Sequence, residues 1–379
     1  MHLPPLPPSV YTAGLTAFAV AVLLVLTKRW HGRFSMDELV GIQKMHHHAT
    51  PRIGGVAIVL GVFMGYVVAH PDRKAILGTL LVAGLPAFVF GLAEDVTKKV
   101  SVLARLLATM ASGVLGWALT GVAITSLDLP GVDLLLRYTA VSVAFTAFAV
   151  GGVANAVNIV DGFNGLAGGF VVIALTGVAL LALGAGDMNL ALACLSIAAA
   201  VVGFWLVNWP WGKLFLGDGG SYFGGFALAW ACVLLIERNT AITPFAALLV
   251  CIHPVTEVLF SIYRRRMHGA HPGHPDRLHL HSLLMRRLVR PLLRRLYPDE
   301  PQTVHTLRNP ATGLLLALMS VPAVACAQLA KNSPLLAAAL CVAFMLGYVT
   351  LYARLVRFAW CSPIGFVFVK PTRALRRAA

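Results

Sequence analysis

The chain resolves into eleven apolar stretches separated by polar links: about 9–27, 53–69, 75–92, 102–124, 138–157, 166–184, 189–207, 221–237, 243–262, 311–330 and 335–353. Each approaches the roughly 17–25 residues that an α-helix needs to cross a bilayer. Hydrocarbon offers no partner to a backbone amide, so a spanning segment must satisfy its own hydrogen bonds, as a helix does. The expected fold is therefore an all-α polytopic membrane protein of about eleven transmembrane helices, with ten compatible with the same pattern. Links such as His70–Lys74 and Gly186–Asn189 are short enough to force antiparallel neighbours. Only 12% of the residues are charged, against about 25% in a soluble domain. Residues 1–353 read as one integral membrane domain without internal repeats, and 354–379 as a basic tail.

Lysine and arginine set the expected orientation. Met1–Ser9 carries no basic residue, whereas Lys28-Arg29 follows the first apolar stretch. That is the pattern of a signal anchor with its N-terminus outside, not of a cleaved signal peptide. The connections then assigned to the outside hold Arg73, Lys74, Arg137, Arg238 and Lys331, and the other 25 of the 30 basic residues fall inside. The positive-inside rule favours this arrangement, with a cytoplasmic C-terminus. It gathers the polar motifs on the cytoplasmic face, in loops at about 28–52, 93–101, 158–165, 208–221 and 263–310. For so apolar a chain, the net charge of +15 points to membrane lipids and phosphorylated substrates as partners and not to nucleic acid. The six cysteines sit in or near apolar segments with no C-x-x-C pair, as small buried residues do.

A charged residue at mid-bilayer costs roughly 3 kcal/mol on insertion scales, so polar clusters flanking such helices need a reason. Asn155, Asn158 and Asp161 recur at a spacing of three, which places them on one helix face. Their oxygens are hard ligands suited to Mg²⁺, though asparagine also serves as an interhelical hydrogen-bonding residue. Leu216-Gly217-Asp218-Gly219-Gly220-Ser221 joins a carboxylate to a glycine-rich helix start. Such a turn binds anions through its amides and a cation through its aspartate, or it simply caps the helix. Glu94-Asp95 offers paired carboxylates beside Lys98-Lys99. Lys44 and Arg52, flanking His46–His48 and preceding Gly54-Gly55, are suited to phosphate or to membrane anchoring. Arg264, Arg265 and Arg266 open the longest inside loop, followed by His279 and His281, which would face one way in an extended segment. The basic stretch Arg286–Arg295 also fits an electrostatic contact with anionic lipid.

In this order, these motifs resemble the polyprenyl-phosphate N-acetylhexosamine-1-phosphate transferases, in the WecA-like branch related to MraY. The resemblance runs over about 9–353. Three positions depart from the usual family spelling: Glu94 and Asn164 each stand where an aspartate is common, and Ser282 where a histidine is. The resemblance implies transfer of a sugar 1-phosphate from a UDP-N-acetylhexosamine to undecaprenyl phosphate, initiating a cell-envelope glycan at the bacterial inner membrane. It implies Mg²⁺, with Mn²⁺ able to substitute, held by Asp218 with Asn158. Asp161 would lie at the reaction centre, and Asp95 with Glu94 near the lipid phosphate as candidate base. Asn164 would contact uridine. Lys44, Arg52, Asn155, Arg264, Arg265, Arg266, His279 and His281 would contact substrate. A homodimer is compatible with this reading. Two alternatives stay open: MraY-type phospho-MurNAc-pentapeptide transfer, and a transporter, for which Glu257 and His253 are the residues deep enough in a span.

Overall fold

The computed structural model describes residues 6–36, 50–267 and 278–357, and among these every regular element is helical. Helix α1 (Pro8–Leu26) is followed by the short basic α2 (Lys28–Ser35), then α3 (Gly54–Val67), α4 (Pro71–Ala83), α5 (Leu85–Thr97) and α6 (Val102–Thr120). After α7 (Pro130–Leu136) come α8 (Thr139–Val160), α9 (Leu166–Gly184), α10 (Met188–Asn208), α11 (Gly217–Arg238) and α12 (Pro244–Met267). The remainder is α13 (Leu280–Leu284), a π-helical turn (Met285–Val289), α14 (Arg290–Leu296), α15 (Pro301–Leu318), α16 (Ser320–Ala330) and α17 (Pro334–Val356).

Among the described residues nine helices, counting α15 and α16 as one, are long and apolar enough to cross a membrane. The count becomes ten if α4 and α5, which meet at a 44° bend, form one span. The difference from eleven lies at α3. Its 14 residues reach about 21 Å at ~1.5 Å per residue, short of the ~30 Å hydrocarbon core. The expected inside loop at 263–310 is also largely helical: α12 continues to Met267, and α13, α14 and the start of α15 occupy much of the rest. Leucines spaced among the arginines give these helices an apolar side, and Leu280, Leu283, Leu284 and Leu293 are buried.

Helix α11 is the axis of the fold. It is apolar on every side beyond its first turn and buried along almost its whole length, as a helix without a polar stripe must be. Helices α3, α5, α8 and α9 pack around it, while α1 packs against α3 and α10. Small residues permit the close approach. A side chain at Gly91 of α5 would put its Cβ 2.6 Å from the carbonyl oxygen of Asp218 and 2.6 Å from the amide of Gly219. Helix α5 therefore lies backbone against backbone with the first turn of α11, and that contact positions the polar residues at the helix start.

Candidate active site

Gly217 begins α11 at φ +75°, a left-handed conformation in which a Cβ would collide with the Arg52 carbonyl and the Asp95 carboxylate. The turn aims the first amides of α11 at Asp95. Asp95 Oδ1 accepts from the Asp218 N–H at 2.9 Å, and Oδ2 from the Gly219 N–H at 2.9 Å. The Asp95 carboxylate, 1% exposed, thus caps a helix other than its own. Those amides would otherwise be orphaned, and the positive end of the helix dipole favours a carboxylate there.

Asp218 projects from the same turn into a ring of donors. Arg105 Nη1, from α6, bonds Oδ2. Arg52 Nη2 lies 3.4 Å from Oδ1 and 3.7 Å from Asp95 Oδ1. Asn158 Nδ2, from the end of α8, lies 3.1 Å from Asp218 Oδ1 and 2.8 Å from Ser221 Oγ. The Arg52 segment is fixed by backbone bonds: Gly54 and Gly55 donate to the carbonyls of Phe215 and Leu216, and Phe215 donates to that of Pro51. Asp161 closes the group just beyond α8. Although part of its surface meets solvent, desolvation pushes its carboxyl up to about 7; Arg52 opposes the shift, and Asp218 and Asp95 add to it.

A second wall forms beside this centre. The Asn164 amide N–H donates to Asn309 Oδ1 at 2.8 Å, and the Asn164 side chain is buried against Gly212 and Pro210. His281 lies over Gly162, where a Cβ would fall 2.9 Å from its Nε2, and meets Phe163 edge-on. His279 stacks on His281 with centroids 5.2 Å apart. They do so although the segment is not extended: His279 precedes α13 as its N-cap and His281 is in its first turn. His279 Nδ1 is 2.9 Å from Glu257 Oε1, and Tyr348 donates to Glu257 Oε2.

The structure thus brings Arg52, Asp95, Asn158, Asp161 and Asp218 together, with Asn164, His279 and His281 alongside. It places others differently. Asn155 gives its amide to Thr109 Oγ1 and the Gly151 carbonyl, both at 2.8 Å, and so joins α8 to α6. Glu94 accepts from the Val100 N–H at 2.8 Å and closes the turn after α5. Arg264 bonds the Leu278 carbonyl and the Tyr352 hydroxyl, with its guanidinium 5.3 Å from the Tyr352 ring. Arg265 and Arg266 follow, half-buried and exposed. Lys44, with His46–His48, lies outside the described residues, as do 358–379 of the basic tail, whose first residues complete α17. Arg105 is a contributor that sequence reasoning did not single out, and Glu257, noted there only for its depth in a span, orients His279 instead. His253 meets Ser320 Oγ at 3.2 Å instead of lining the centre. Among the described residues no set of three or more His, Cys, Asp or Glu is grouped to hold a metal.

Residues 77–236, from α4 to the end of α11, match the glycosyl transferase family 4 model. The chain is 30% identical over 276 residues to an undecaprenyl-phosphate alpha-N-acetylglucosaminyl 1-phosphate transferase of Yersinia pestis, covering 71% of this chain and 74% of that one. It is 27% identical over 281 residues to a probable undecaprenyl-phosphate N-acetylglucosaminyl 1-phosphate transferase of Bacillus subtilis, covering 72% and 77%. A counterpart in Escherichia coli K12 is 28% identical over 254 residues, covering 64% and 67%. The matched region contains Asp95, Arg105, Asn158, Asp161 and Asp218, and on these similarities the chain belongs to glycosyl transferase family 4, in its branch of polyprenyl-phosphate hexosamine-1-phosphate transferases.

Proposed function

We propose that this protein transfers N-acetylhexosamine 1-phosphate from a UDP-sugar to undecaprenyl phosphate and releases UMP. The names of its relatives favour N-acetylglucosamine as the sugar. The observation that carries the reading is the placement of Asp218: it stands at the start of a buried helix, between the guanidiniums of Arg52 and Arg105 and beside the Asn158 amide. Two anionic reactants can meet only where their charge is offset, and this centre supplies the guanidiniums of Arg52 and Arg105. A phosphate monoester is largely ionised near neutral pH, its second pKa being about 6. The lipid phosphate oxygen therefore needs no strong base. It forms the new bond to the β-phosphorus, and the oxygen bridging to the α-phosphate leaves with UMP.

The donor set fits a divalent cation of the kind the family implies. Mg²⁺ is commonly held by one or two carboxylates together with substrate phosphates, so a three-residue cage is not required. Asp218 and the Asn158 amide would hold it, with Asp161 close enough to couple electrostatically to Asp218. When bound, it would polarise the diphosphate and stabilise the departing UMP. Arg52 and Arg105 would offset the charge of the substrate phosphates. Asp95 acts as a positioning residue that holds the first turn of α11, while Asn164 and the His279–His281 pair, oriented by Glu257, form the wall for the nucleotide and sugar.

The finer topology follows the charge asymmetry: α3 counts as an eleventh, shallow span, the N-terminus is outside, and the catalytic face and C-terminus are cytoplasmic at the inner membrane. A transporter is disfavoured because His253 and Glu257, the residues deepest in a span, are engaged with Ser320 and with His279 and Tyr348. The test is release of labelled UMP from UDP-N-acetylglucosamine by purified protein with undecaprenyl phosphate. Mg²⁺ should support it and EDTA should stop it. Activity only on UDP-MurNAc-pentapeptide, or sugar accumulation in sealed vesicles without UMP, would overturn the reading.

A further inference from the structure

Helices α14 and α15 and the turn between them line an open cationic cavity that has no part in the proposed transfer reaction. Arg290 and Arg294 are four residues apart on α14, and His305 and Arg308 three apart on α15, so each pair shares a helix face. All four line one cavity of about 380 Å³ together with Tyr297, far larger than the ~30 Å³ of a water molecule. An apolar seam of Val289, Leu293 and Val304 joins α14 and the π-helical turn before it to α15. Arg308 Nη2 donates to His305 Nε2 at 2.8 Å, which takes up one of its five N–H groups. Arg290 and Arg308 repel one another across the space. Among the described residues no carboxylate pairs with Arg290, Arg294 or Arg308. Glu300, just before α15, accepts instead from Thr303 Oγ1.

Three guanidiniums around one cavity, with no carboxylate partner among the described residues, make a receptor for an anion, and their planar forks match phosphate oxygens bidentately. We infer that the α14–α15 cavity is a phosphate-binding site distinct from the Asp218 centre. The phosphate belongs either to an anionic phospholipid headgroup or to a soluble phosphate compound. Occupancy would also bear on the centre, because Asn309, next to Arg308, holds the Asn164 backbone.

The test uses full-length protein in phosphatidylcholine nanodiscs containing EDTA. Thermal unfolding is followed against inorganic pyrophosphate, and retention of phosphatidylglycerol is measured separately by native mass spectrometry. Saturable stabilisation by pyrophosphate identifies a soluble source; retained phosphatidylglycerol without that response identifies a lipid. In either case R290Q/R308Q should weaken binding by about tenfold or more, and Arg294→Gln, at an exposed position, should weaken it without endangering the fold. Arg295→Gln removes the same charge from the adjacent position outside the cavity and should bind as wild type. The inference is overturned if neither probe binds, or if Arg295→Gln loses as much as Arg294→Gln.

Discussion

Asp95 accepts hydrogen bonds from the backbone of Asp218 and Gly219, not from the Asp218 side chain. The two aspartates therefore have separable duties. Asp95→Asn would turn an NH₂ group toward a buried amide and leave it unpaired, at a cost of about 1–3 kcal/mol. We expect a lowered unfolding temperature together with lost turnover. Asp218→Ala keeps the cap, because the backbone amide remains, yet removes the carboxylate between Arg52 and Arg105. Its UMP release should fall by about 10²–10³-fold or more, with a smaller thermal shift than Asp95→Asn. Glu94→Asp disturbs only a turn bond to Val100 and should cost no more than about 1 kcal/mol, with turnover retained. Parallel melting curves and UMP assays decide this, and an active Asp218→Ala enzyme would refute the assignment.

The close approach of α5 and α11 yields a second prediction. A methyl group at Gly91 would meet the Asp218 carbonyl and the Gly219 amide at 2.6 Å, and neither backbone atom can rotate away as a side chain does. Gly91→Ala should separate the helices at a cost of about 1–3 kcal/mol, the usual range for overpacking, and draw Asp95 off its amides. Turnover should fall with stability. Gly347, on exposed α17, has nothing within 4 Å of a Cβ. There Gly347→Ala should be neutral or raise the melting temperature, since alanine is favoured in helices by about 1 kcal/mol. Equal behaviour of the two variants would rule out the packing argument.

These contrasts show which features were legible in the sequence. Helical class, multiple spans and the Asn158, Asp161 and Asp218 motifs follow from hydropathy and from the cost of polar groups near lipid. Three things depended on tertiary pairing. Asn155 shares its spacing with Asn158 and Asp161, but periodicity does not say which neighbour meets that part of the face, and α6 presents Thr109 there. Glu94 and Asp95 are adjacent, yet successive helical residues point about 100° apart, so one closes a turn while the other caps α11. Arg105 gave no signal because its significance comes from Asp218, 113 positions away. The apolar run at 53–69 is longer than α3 itself: Ile53 is the N-cap, and Val68 and Ala69 follow the last helical residue.

The third prediction concerns Glu257. Its oxygens engage His279 Nδ1 and the Tyr348 hydroxyl, and a carboxylate on Nδ1 fixes the ring orientation and tautomer of a histidine. Glu257→Gln preserves the volume but weakens both contacts. Loss of a hydrogen bond to a charged group typically costs about 1.5–3 kcal/mol, and we expect about a 10–100-fold loss in kcat/KM for the UDP-sugar. Tyr348→Phe leaves the His279 bond in place and should lose less. If Tyr348→Phe lost as much activity as Glu257→Gln, Glu257 would be acting through helix packing and not through His279.

The last prediction lies between α9 and α10. Asp187 accepts from Arg238 Nε at 2.6 Å and Nη2 at 2.9 Å, and from the Leu190 N–H as the cap of α10. Burial works against its charge, but the Arg238 and Leu190 hydrogen bonds outweigh it and hold the carboxyl below its ordinary value. A carboxyl lowered in this way stabilises the fold above its unfolded pKa of about 3.9. That contribution is lost as the pH falls through the folded value, once the native carboxyl is protonated too. Because Arg238 is substantially exposed, the pair and cap together should be worth about 1 kcal/mol. Asp187→Asn should therefore melt lower than wild type at pH 7, and the gap should narrow steadily below about pH 4 as the wild-type carboxyl is protonated. Melting curves from pH 7 to pH 3 in detergent measure that gap, and a constant difference across the range would mean that Asp187 acts by shape and not by charge.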